Sequence, residues 1–229
     1  MLLHLKKILT PDEVAKARAL LGAGAPWIDG RSSAGAQAVA RKNNEQLAQD
    51  SAQAAQLREM VLVALQRDPL FFSAALPRKI FNPLFNRYSG GSNHYGQHID
   101  GAVLRSLHPP QWVRTDLSCT LFLAEPDEYD GGELVIREPQ GERRLKLPAG
   151  DLVLYPGTTL HEVTPVTRGA RIASFFWVES MVRSGEQRRL LFDMDMALLK
   201  LRSEGAADEA ALVQLTGTYH NLLRMWADT

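Results

Sequence analysis

The sequence lacks the features that would mark a secreted, membrane or nucleic-acid-binding protein. Its single cysteine, Cys119, excludes an intrachain disulfide and with it the disulfide-stapled secreted folds. Lysine plus arginine and aspartate plus glutamate both total 26, so no net charge supports bulk binding of nucleic acid. No stretch approaches the roughly 18 apolar residues of a transmembrane helix. A soluble, cytoplasmic protein without membrane attachment is therefore expected.

The chain is long enough for one elaborated domain or two small ones. Its 229 residues are 45% hydrophobic, which is sufficient to bury a core. The apolar periodicity is helical towards both ends and β-like in the middle. We therefore expect an N-terminal helical and loop region over 1–78, a β domain over 79–180, and a C-terminal helical extension over 181–229.

Two helices are predicted in the N-terminal region. Thr10 and Glu13 fit a capping box around Pro11, so the first helix should begin there. A second apolar periodicity predicts a helix over 45–66, ended by the following proline. The polar, glycine-bearing stretch 27–44 between them is expected to be a long loop with at most a short strand. It either contacts a substrate or is simply solvated.

The C-terminal region is predicted to be helical as well. Ser184 and Gln187 fit a capping box, and apolar residues follow at helical spacing on both sides of a break over 203–208. An apolar stripe of this length must be buried. We expect it to pack within the chain first, with a homodimer as the alternative.

The central region has the punctuation of an all-β domain. About eight short strands separated by tight turns are typical of a sandwich or jelly roll. The expected fold class is therefore α+β, with a jelly-roll core, also called a double-stranded β-helix. The predicted strands are 79–89, 95–100, 116–124, 132–137, 143–147, 151–155, 159–165 and 170–178.

The stretch 95–100 carries the most informative pair of residues in the chain. Side chains two apart in a β-strand point to the same face, so His98 and Asp100 aim an imidazole and a carboxylate at one point. These are two of the three ligands in the 2-His-1-carboxylate triad, which holds Fe(II) and leaves coordination positions open. A His-x-Asp triplet also arises easily by chance, so a third ligand is needed.

The other histidines are unequal candidates for that ligand. His161 opens a late strand, and in a jelly roll such a strand can lie beside the one that carries His98. His94 precedes His98 at a spacing that would suit a helix, but nearby glycines argue against one. The rest lie in irregular or helical contexts: His4, His108 and His220.

A cation follows His161 at the start of the apolar strand 171–177. Arg171 offers a fork of donors that matches a carboxylate in bidentate fashion. The alternative is a surface salt bridge. Against that alternative stands the combination of a His-x-Asp pair, a later histidine on a strand and an arginine ten residues further on.

At these residues the sequence resembles the Fe(II)/2-oxoglutarate-dependent dioxygenases of the prolyl-hydroxylase-like branch, and in particular the bacterial PKHD-type hydroxylases. The resemblance extends over nearly the full length and includes the C-terminal region. The segments that carry it are 83–88, 98–102, 114–118, 129–134, 147–156 and 219–224.

The resemblance implies that His98, Asp100 and His161 are the iron ligands. It implies oxidative decarboxylation of 2-oxoglutarate by O2, with succinate and CO2 released as an unidentified substrate is hydroxylated. A carboxylate at position 100 favours hydroxylation, because the related halogenases leave that coordination position to a halide. L-Ascorbate is an expected auxiliary reagent, since it keeps the iron ferrous in related enzymes.

The resemblance also assigns the cosubstrate contacts. Arg171 would pair with the distal carboxylate of 2-oxoglutarate, and Tyr88 and Ser118 match positions that place hydroxyls on that carboxylate. Tyr95 and Trp177 either line the pocket or belong to the core.

Two rival interpretations and an open substrate remain. One rival is a cupin-like metalloenzyme that uses no 2-oxoglutarate, and the other is a metal-sensing or binding module. The substrate, a small molecule or a protein side chain, stays unidentified, because relatives of one fold accept many substrates. Polar residues that could contact it are Lys42, Asn43, Asn44, Arg105 and Arg114.

Overall fold

The computed structural model describes residues 1–33, 39–139, 141–205 and 208–229. Residues 34–38, within the predicted loop, lie outside the described residues. The helices are α1 (Pro11–Leu20), α2 (Ala52–Arg67), α3 (Pro69–Ala75), α4 (Gly185–Ser203) and α5 (Glu209–Trp226). The strands are β1 (Leu3–Leu5), β2 (Trp27–Asp29), β3 (Lys42–Asn43), β4 (Glu45–Leu47), β5 (Pro77–Ile80), β6 (Leu84–Ser89), β7 (His94–His98), β8 (Val103–Leu107), β9 (Pro110–Arg114), β10 (Leu117–Phe122), β11 (Tyr129–Gly131), β12 (Leu134–Glu138), β13 (Gly141–Leu145), β14 (Leu152–Pro156), β15 (Leu160–Val163) and β16 (Val166–Ser180).

Two antiparallel sheets form the jelly-roll core, as the sequence predicted. The larger has the order β1-β14-β10-β16-β6-β4-β2, and β5 and β11 also pair with β16. The smaller has the order β13-β12-β15-β7-β3. Strands β8 and β9 form a separate hairpin. Several neighbouring strands come from distant parts of the chain, such as β7 and β15 or β6 and β16, which brings early and late residues together in the interior.

Strand β10 shows how the larger sheet divides two cores. Leu117, Cys119 and Leu121 belong to a cluster with apolar residues of α2, such as Leu57. Phe122, on the opposite face, belongs to the cluster between the sheets. Alternate residues of this strand are therefore buried on opposite faces of the sheet, which fixes its register.

The N-terminal helices form partly as predicted. Thr10 caps α1 in a capping box with Glu13, as expected. The predicted helix over 45–66 is wrong at its start, because Glu45–Leu47 pairs as β4 with β6 and Ser51 caps the shorter α2. The proline expected to end the helix instead begins α3 at its first position, where a missing N–H costs nothing.

The predicted strand 79–89 is also two strands. β5 and β6 each pair with β16, and the intervening residues around Pro83 break the ladder. Proline cannot donate to a ladder, which is why the break falls there. The hairpin 103–114 was missed, because its exposed strands lack a continuous apolar face.

The C-terminal helices pack on the chain itself. Leu191 and Leu198 of α4 and Tyr219 of α5 are buried with Leu76, which follows α3. Ser184 caps α4 by accepting from the Gln187 N–H, and Asp208 caps α5. The apolar stripe is thus covered within the chain only in part, because Leu190 and Leu215 remain 61% and 43% exposed. Among the described residues, no helix combines the length and apolar character needed to cross a bilayer.

Candidate metal and cosubstrate site

The smaller sheet brings His98 and His161 together. β7 and β15 are antiparallel neighbours, and His98 and His161 are directly opposed in their register. Their ring centroids lie 4.2 Å apart. The expectation that a late strand would place His161 beside His98 is confirmed. Asp100 differs slightly from expectation, because β7 ends at His98 and the carboxylate lies just beyond it.

The three side chains form a compact set of possible metal ligands. His98 Nε2 lies 4.0 Å from Asp100 Oδ1, and His161 Nε2 lies 3.8 Å from Asp100 Oδ2. One ligand atom from each residue falls within 4.8 Å of the others. Two imidazole nitrogens and a carboxylate oxygen on one side of a point are the donor set of a facial triad.

The far side of each imidazole is already committed to the backbone. His98 Nδ1 lies 2.8 Å from the Gly96 carbonyl oxygen, and His161 Nδ1 lies 2.9 Å from that of Thr159. A carbonyl can only accept, so each Nδ1 carries the proton and donates it. Nε2 is left with its lone pair facing Asp100. This is the tautomer that a metal requires, held by outer contacts of the usual kind.

Burial keeps His98 neutral. Desolvation, followed by the neighbouring His161, lowers the pKa of His98 to about 4. The Tyr95 ring stacks on the His98 ring at a centroid distance of 3.6 Å and an interplanar angle of 15°. Tyr95 therefore fixes the plane of the imidazole, which is a more specific role than pocket lining.

Ser118 contacts the carboxylate of the triad. Its Oγ donates to Asp100 Oδ2 at 2.7 Å. The sequence placed Ser118 on the distal carboxylate of 2-oxoglutarate, but its single hydroxyl proton is directed to Asp100 instead. Ser118 lies on the interior face of β10, opposite Tyr155 and Trp177 on the flanking strands.

Arg171 is a buried cation with unused donors. It is 1% exposed, and its Nε and Nη1 have no hydrogen-bond partner among the residues that the structure describes. Its guanidinium lies over two aromatic rings, 5.3 Å from the Tyr88 centroid and 5.2 Å from that of Phe122. The surface salt bridge considered from the sequence is wrong. A buried charge with unpaired N–H groups calls for an anion.

Tyr88 and Arg171 lie side by side on adjacent strands of the larger sheet. They are paired residues in the β6–β16 register, and Tyr88 is 1% exposed. Burial raises the pKa of Tyr88, so its hydroxyl keeps its proton and can donate it. Both residues line the same cavity of about 550 Å³ as the triad, and Trp177 lines it too.

The polar residues proposed as substrate contacts divide into two groups. Lys42, Asn44 and Arg105 line the cavity. Asn43 donates to the Gly91 carbonyl, and Arg114 pairs with Asp116 through Nε at 2.7 Å. These last two have structural partners. The sequence missed further polar residues of the cavity wall, Gln46 and Asn86, because an isolated amide inside a strand gives no motif.

The remaining histidines lie away from the triad. His94 Nδ1 lies 3.0 Å from Asn93 Oδ1, and His4 Nε2 lies 2.7 Å from Asp151 Oδ2. His108 and His220 are exposed. None of them belongs to the group of possible metal ligands found in the described part of the chain.

A jelly roll that holds a His-Asp-His triad and a buried arginine in one cavity defines the class of 2-oxoglutarate-Fe(II) oxygenases. The family described as "2OG-Fe(II) oxygenase superfamily" matches residues 83–179, and the "PKHD-type hydroxylase C-terminal domain" matches residues 186–228. A PKHD-type hydroxylase of Polaromonas sp. is 61% identical over 229 residues, covering 100% of both chains. One of Variovorax paradoxus is 58% identical over 228 residues, again covering 100% of both. The chain belongs to the PKHD-type hydroxylase family.

Solved structures support the fold. A prolyl hydroxylase from Trichoplax adhaerens, in complex with a hypoxia inducible factor peptide fragment, has a TM-score of 0.56 at 15% identity. The structural match covers 83% of this chain and 86% of the Trichoplax chain. The protein is thus an Fe(II)- and 2-oxoglutarate-dependent hydroxylase, and the cupin-like and metal-sensor alternatives lose their basis.

Proposed function

We propose that His98, Asp100 and His161 hold the catalytic Fe(II) of this hydroxylase. The donor set fits the ion, because both Nε2 atoms are free to ligate and both Nδ1 atoms are engaged by carbonyls. Bound iron with 2-oxoglutarate supplies the oxidising chemistry, in which one oxygen atom of O2 enters succinate and the other hydroxylates the substrate as CO2 leaves. The protein's residues orient the ligands, through the Gly96 and Thr159 carbonyls and the Ser118 hydroxyl, and bury them away from bulk water.

Arg171 is the anchor for the distal carboxylate of 2-oxoglutarate. Its unpartnered Nε and Nη1, together with its 1% exposure, are the observation that carries this assignment. Guanidinium and carboxylate match in charge and geometry, and the surrounding low dielectric strengthens the pair. Tyr88 stands opposite and adds a protonated hydroxyl to the same subsite. Ser118 serves the cosubstrate indirectly, by fixing Asp100.

The chain divides by role into three regions. Residues 1–78 form an N-terminal support region, which also contributes β1, β2 and β4 to the larger sheet and β3 to the smaller one. Residues 79–180 form the Fe(II)/2-oxoglutarate dioxygenase domain, and 181–229 form a helical extension. The extension still presents apolar residues to solvent, with Leu190 61% exposed and Val213 67% exposed. The proposal also includes a homodimer through this face and a cytoplasmic location. L-Ascorbate is the proposed reductant that maintains Fe(II).

The test is metal binding and succinate release by matched histidine variants. His161→Ala should lose tight Fe(II) binding under anaerobic conditions and should release no succinate from 2-oxoglutarate. His94→Ala removes a nearby histidine outside the triad and should retain both. Circular dichroism should report the same fold for both variants. Retention of tight iron binding in His161→Ala would overturn the assignment. Omission of ascorbate should shorten the lifetime of activity in repeated turnover.

A further inference from the structure

A row of buried amides lines the cavity beside the cosubstrate subsite. Gln46 of β4 and Asn86 of β6 are paired residues in adjacent strands, and they are 3% and 6% exposed. Asn44 lies two residues before Gln46 and is 2% exposed. All three border the cavity that contains the triad. Three carboxamides so deeply buried around one space form a polar surface that the iron and cosubstrate roles do not use.

These amides have unmet hydrogen-bonding capacity of both kinds. Gln46 Nε2 and Asn44 Nδ2 are donors, and Asn44 Oδ1 and Asn86 Oδ1 are acceptors, without a partner in the described part of the chain. Buried polar atoms are nearly always paired, and leaving them unpaired is costly. Four such atoms around one cavity indicate a ligand or ordered water that both accepts and donates.

The unmet acceptors distinguish this row from the 2-oxoglutarate subsite. 2-Oxoglutarate carries only hydrogen-bond acceptors at neutral pH, so it cannot satisfy the carbonyl oxygens of Asn44 and Asn86. Asn86 is paired with Ala173. This pair lies two residues, or about 7 Å, along the strand from the pair formed by Tyr88 and Arg171. The amide row therefore adjoins the cosubstrate subsite without coinciding with it.

A cation and an apolar wall border the amide row. Lys42 Nζ lies 5.3 Å from the centroid of the Tyr95 ring and 5.9 Å from that of Phe175, and Lys42 is 5% exposed. The apolar wall belongs to one buried cluster, into which Leu84, Phe175 and Trp177 pack. The cavity thus offers a positive charge, donors, acceptors and an apolar face to a single ligand.

We propose that this subsite binds the head group of a free α-amino or α-hydroxy acid, which is the substrate to be hydroxylated. Its carboxylate lies towards Lys42 and the amide nitrogens of Asn44 and Gln46. Its ammonium or hydroxyl group donates to the amide oxygens of Asn44 and Asn86, and its apolar side chain lies on the Phe175 wall. This assignment rests on the proposed function, since it names the substrate of the same site.

Ligand binding to the inert Zn(II)–2-oxoglutarate protein tests the proposal. The probes are the free proteinogenic L-amino acids, the α-hydroxy acid analogues of the aliphatic ones, and N-acetyl-L-leucine methylamide as a capped control. Saturation-transfer NMR would detect binding, and calorimetry would give the Kd. We expect binding of one or more free acids with apolar side chains and none of the capped compound.

Near-isosteric variants link any binding to the amide row. Asn86→Leu and Gln46→Met keep side-chain volume and remove the polar atoms, so each should weaken binding by about tenfold or more. Gln46→Glu should weaken it further, because it replaces a donor with a negative charge. Gln49→Met is the matched control, since Gln49 also lines the cavity but accepts from Asn82 Nδ2 at 3.4 Å. It should bind like the wild type.

The absorption band that 2-oxoglutarate gives on the anaerobic Fe(II) protein distinguishes failure of the substrate proposal from failure of the proposed function. If the band forms but no free acid binds, the substrate proposal is wrong and the iron and cosubstrate roles stand. If only the capped compound binds, the substrate is a polypeptide and the proposal is equally wrong. Absence of the band would defeat the proposed function itself. Equal binding by wild type and by all amide variants would move the substrate elsewhere.

Discussion

Ser118 Oγ lies 2.7 Å from Asp100 Oδ2 and donates its proton to that carboxylate. The contact joins β10 of the larger sheet to the segment just after β7 of the smaller one. Asp100 follows the end of its strand, so no ladder hydrogen bonds hold it in place. The serine hydroxyl therefore does for Asp100 what the Gly96 and Thr159 carbonyls do for the histidines, which is to hold a proposed metal ligand in position from its far side.

Removal of this hydroxyl should weaken metal binding without unfolding the protein. Ser118→Ala is expected to lower Fe(II) affinity by about 10–100-fold, as is typical for outer contacts of metal ligands. Ser174→Ala is the matched control, because Ser174 is fully buried on the neighbouring strand and its hydroxyl has no partner among the described residues. Competition with a chelator would measure the affinities. Equal affinities in the two variants would count against a positioning role.

Arg171 should govern 2-oxoglutarate affinity and leave iron binding intact. Loss of a buried charged pair costs about 3–5 kcal/mol, so Arg171→Leu should weaken 2-oxoglutarate binding by about a hundredfold or more. Arg171→Lys should fall between, because it keeps the charge and loses the fork. The absorption band of the chelated cosubstrate on the anaerobic Fe(II) protein gives the Kd. An unchanged Kd in Arg171→Leu would reassign the arginine.

Local sequence signals predicted the parts of the fold that depend on neighbours in sequence. The Thr10 and Ser184 caps follow local rules, and each held. Failure came where a distant partner decides the structure. Residues 45–47 have helical periodicity, but hydrogen bonds from β6 make them a strand. Propensity is a weak prior against such tertiary pairing.

The site shows the same division. The proximity of His98 and His161 could be predicted, because a jelly roll places late strands beside early ones. The partner of Ser118 could not, because a hydroxyl can serve any acceptor within reach and the sequence does not say which one is near. The amides of Gln46 and Asn86 were invisible for a related reason, since only the register of β4 against β6 brings them together.

A charged clamp between α1 and α2 should make stability depend on acid pH. Arg67 donates through Nη1 to Glu13 Oε1 at 2.6 Å, and this pairing lowers the pKa of Glu13 to about 2. A carboxyl whose pKa is lowered in the folded state stabilises the fold fully at pH values above its pKa in the unfolded chain, which is about 4.3. That stabilisation is lost as pH falls from there through about 2.

Glu13→Gln isolates this charge while it keeps the side-chain shape. The variant should lose about 1 kcal/mol in the free energy of unfolding at pH 7, because solvent screens the partly exposed Arg67. The difference from wild type should shrink as pH falls below about 4. Urea unfolding across this range measures it, and Glu59→Gln, at an exposed site on α2, serves as the control. A difference that stayed constant with pH would show that the clamp is not electrostatic.

Two adjacent leucines of α4 should separate packing of the C-terminal extension from its surface. Leu198 is 2% exposed and packs in a cluster with Leu76 and Tyr219, whereas Leu199 is 49% exposed. Leu198→Ala should therefore cost about 2–5 kcal/mol by leaving a cavity. Leu199→Ala should change the free energy of unfolding by no more than about 0.5 kcal/mol.

Deletion of residues 182–229 extends this prediction to the whole extension. The deletion would leave Met181 as the one remaining member of the cluster around Leu76. The uncovered apolar surface should cause aggregation. Size-exclusion chromatography of the variants, beside urea unfolding, measures both effects. If the exposed face that includes Leu190 forms the proposed dimer, Leu190→Ala should dissociate it at concentrations where Leu198→Ala does not. A soluble, fully active deletion variant would show that the rest of the chain does not need α4 and α5 to cover its apolar surface.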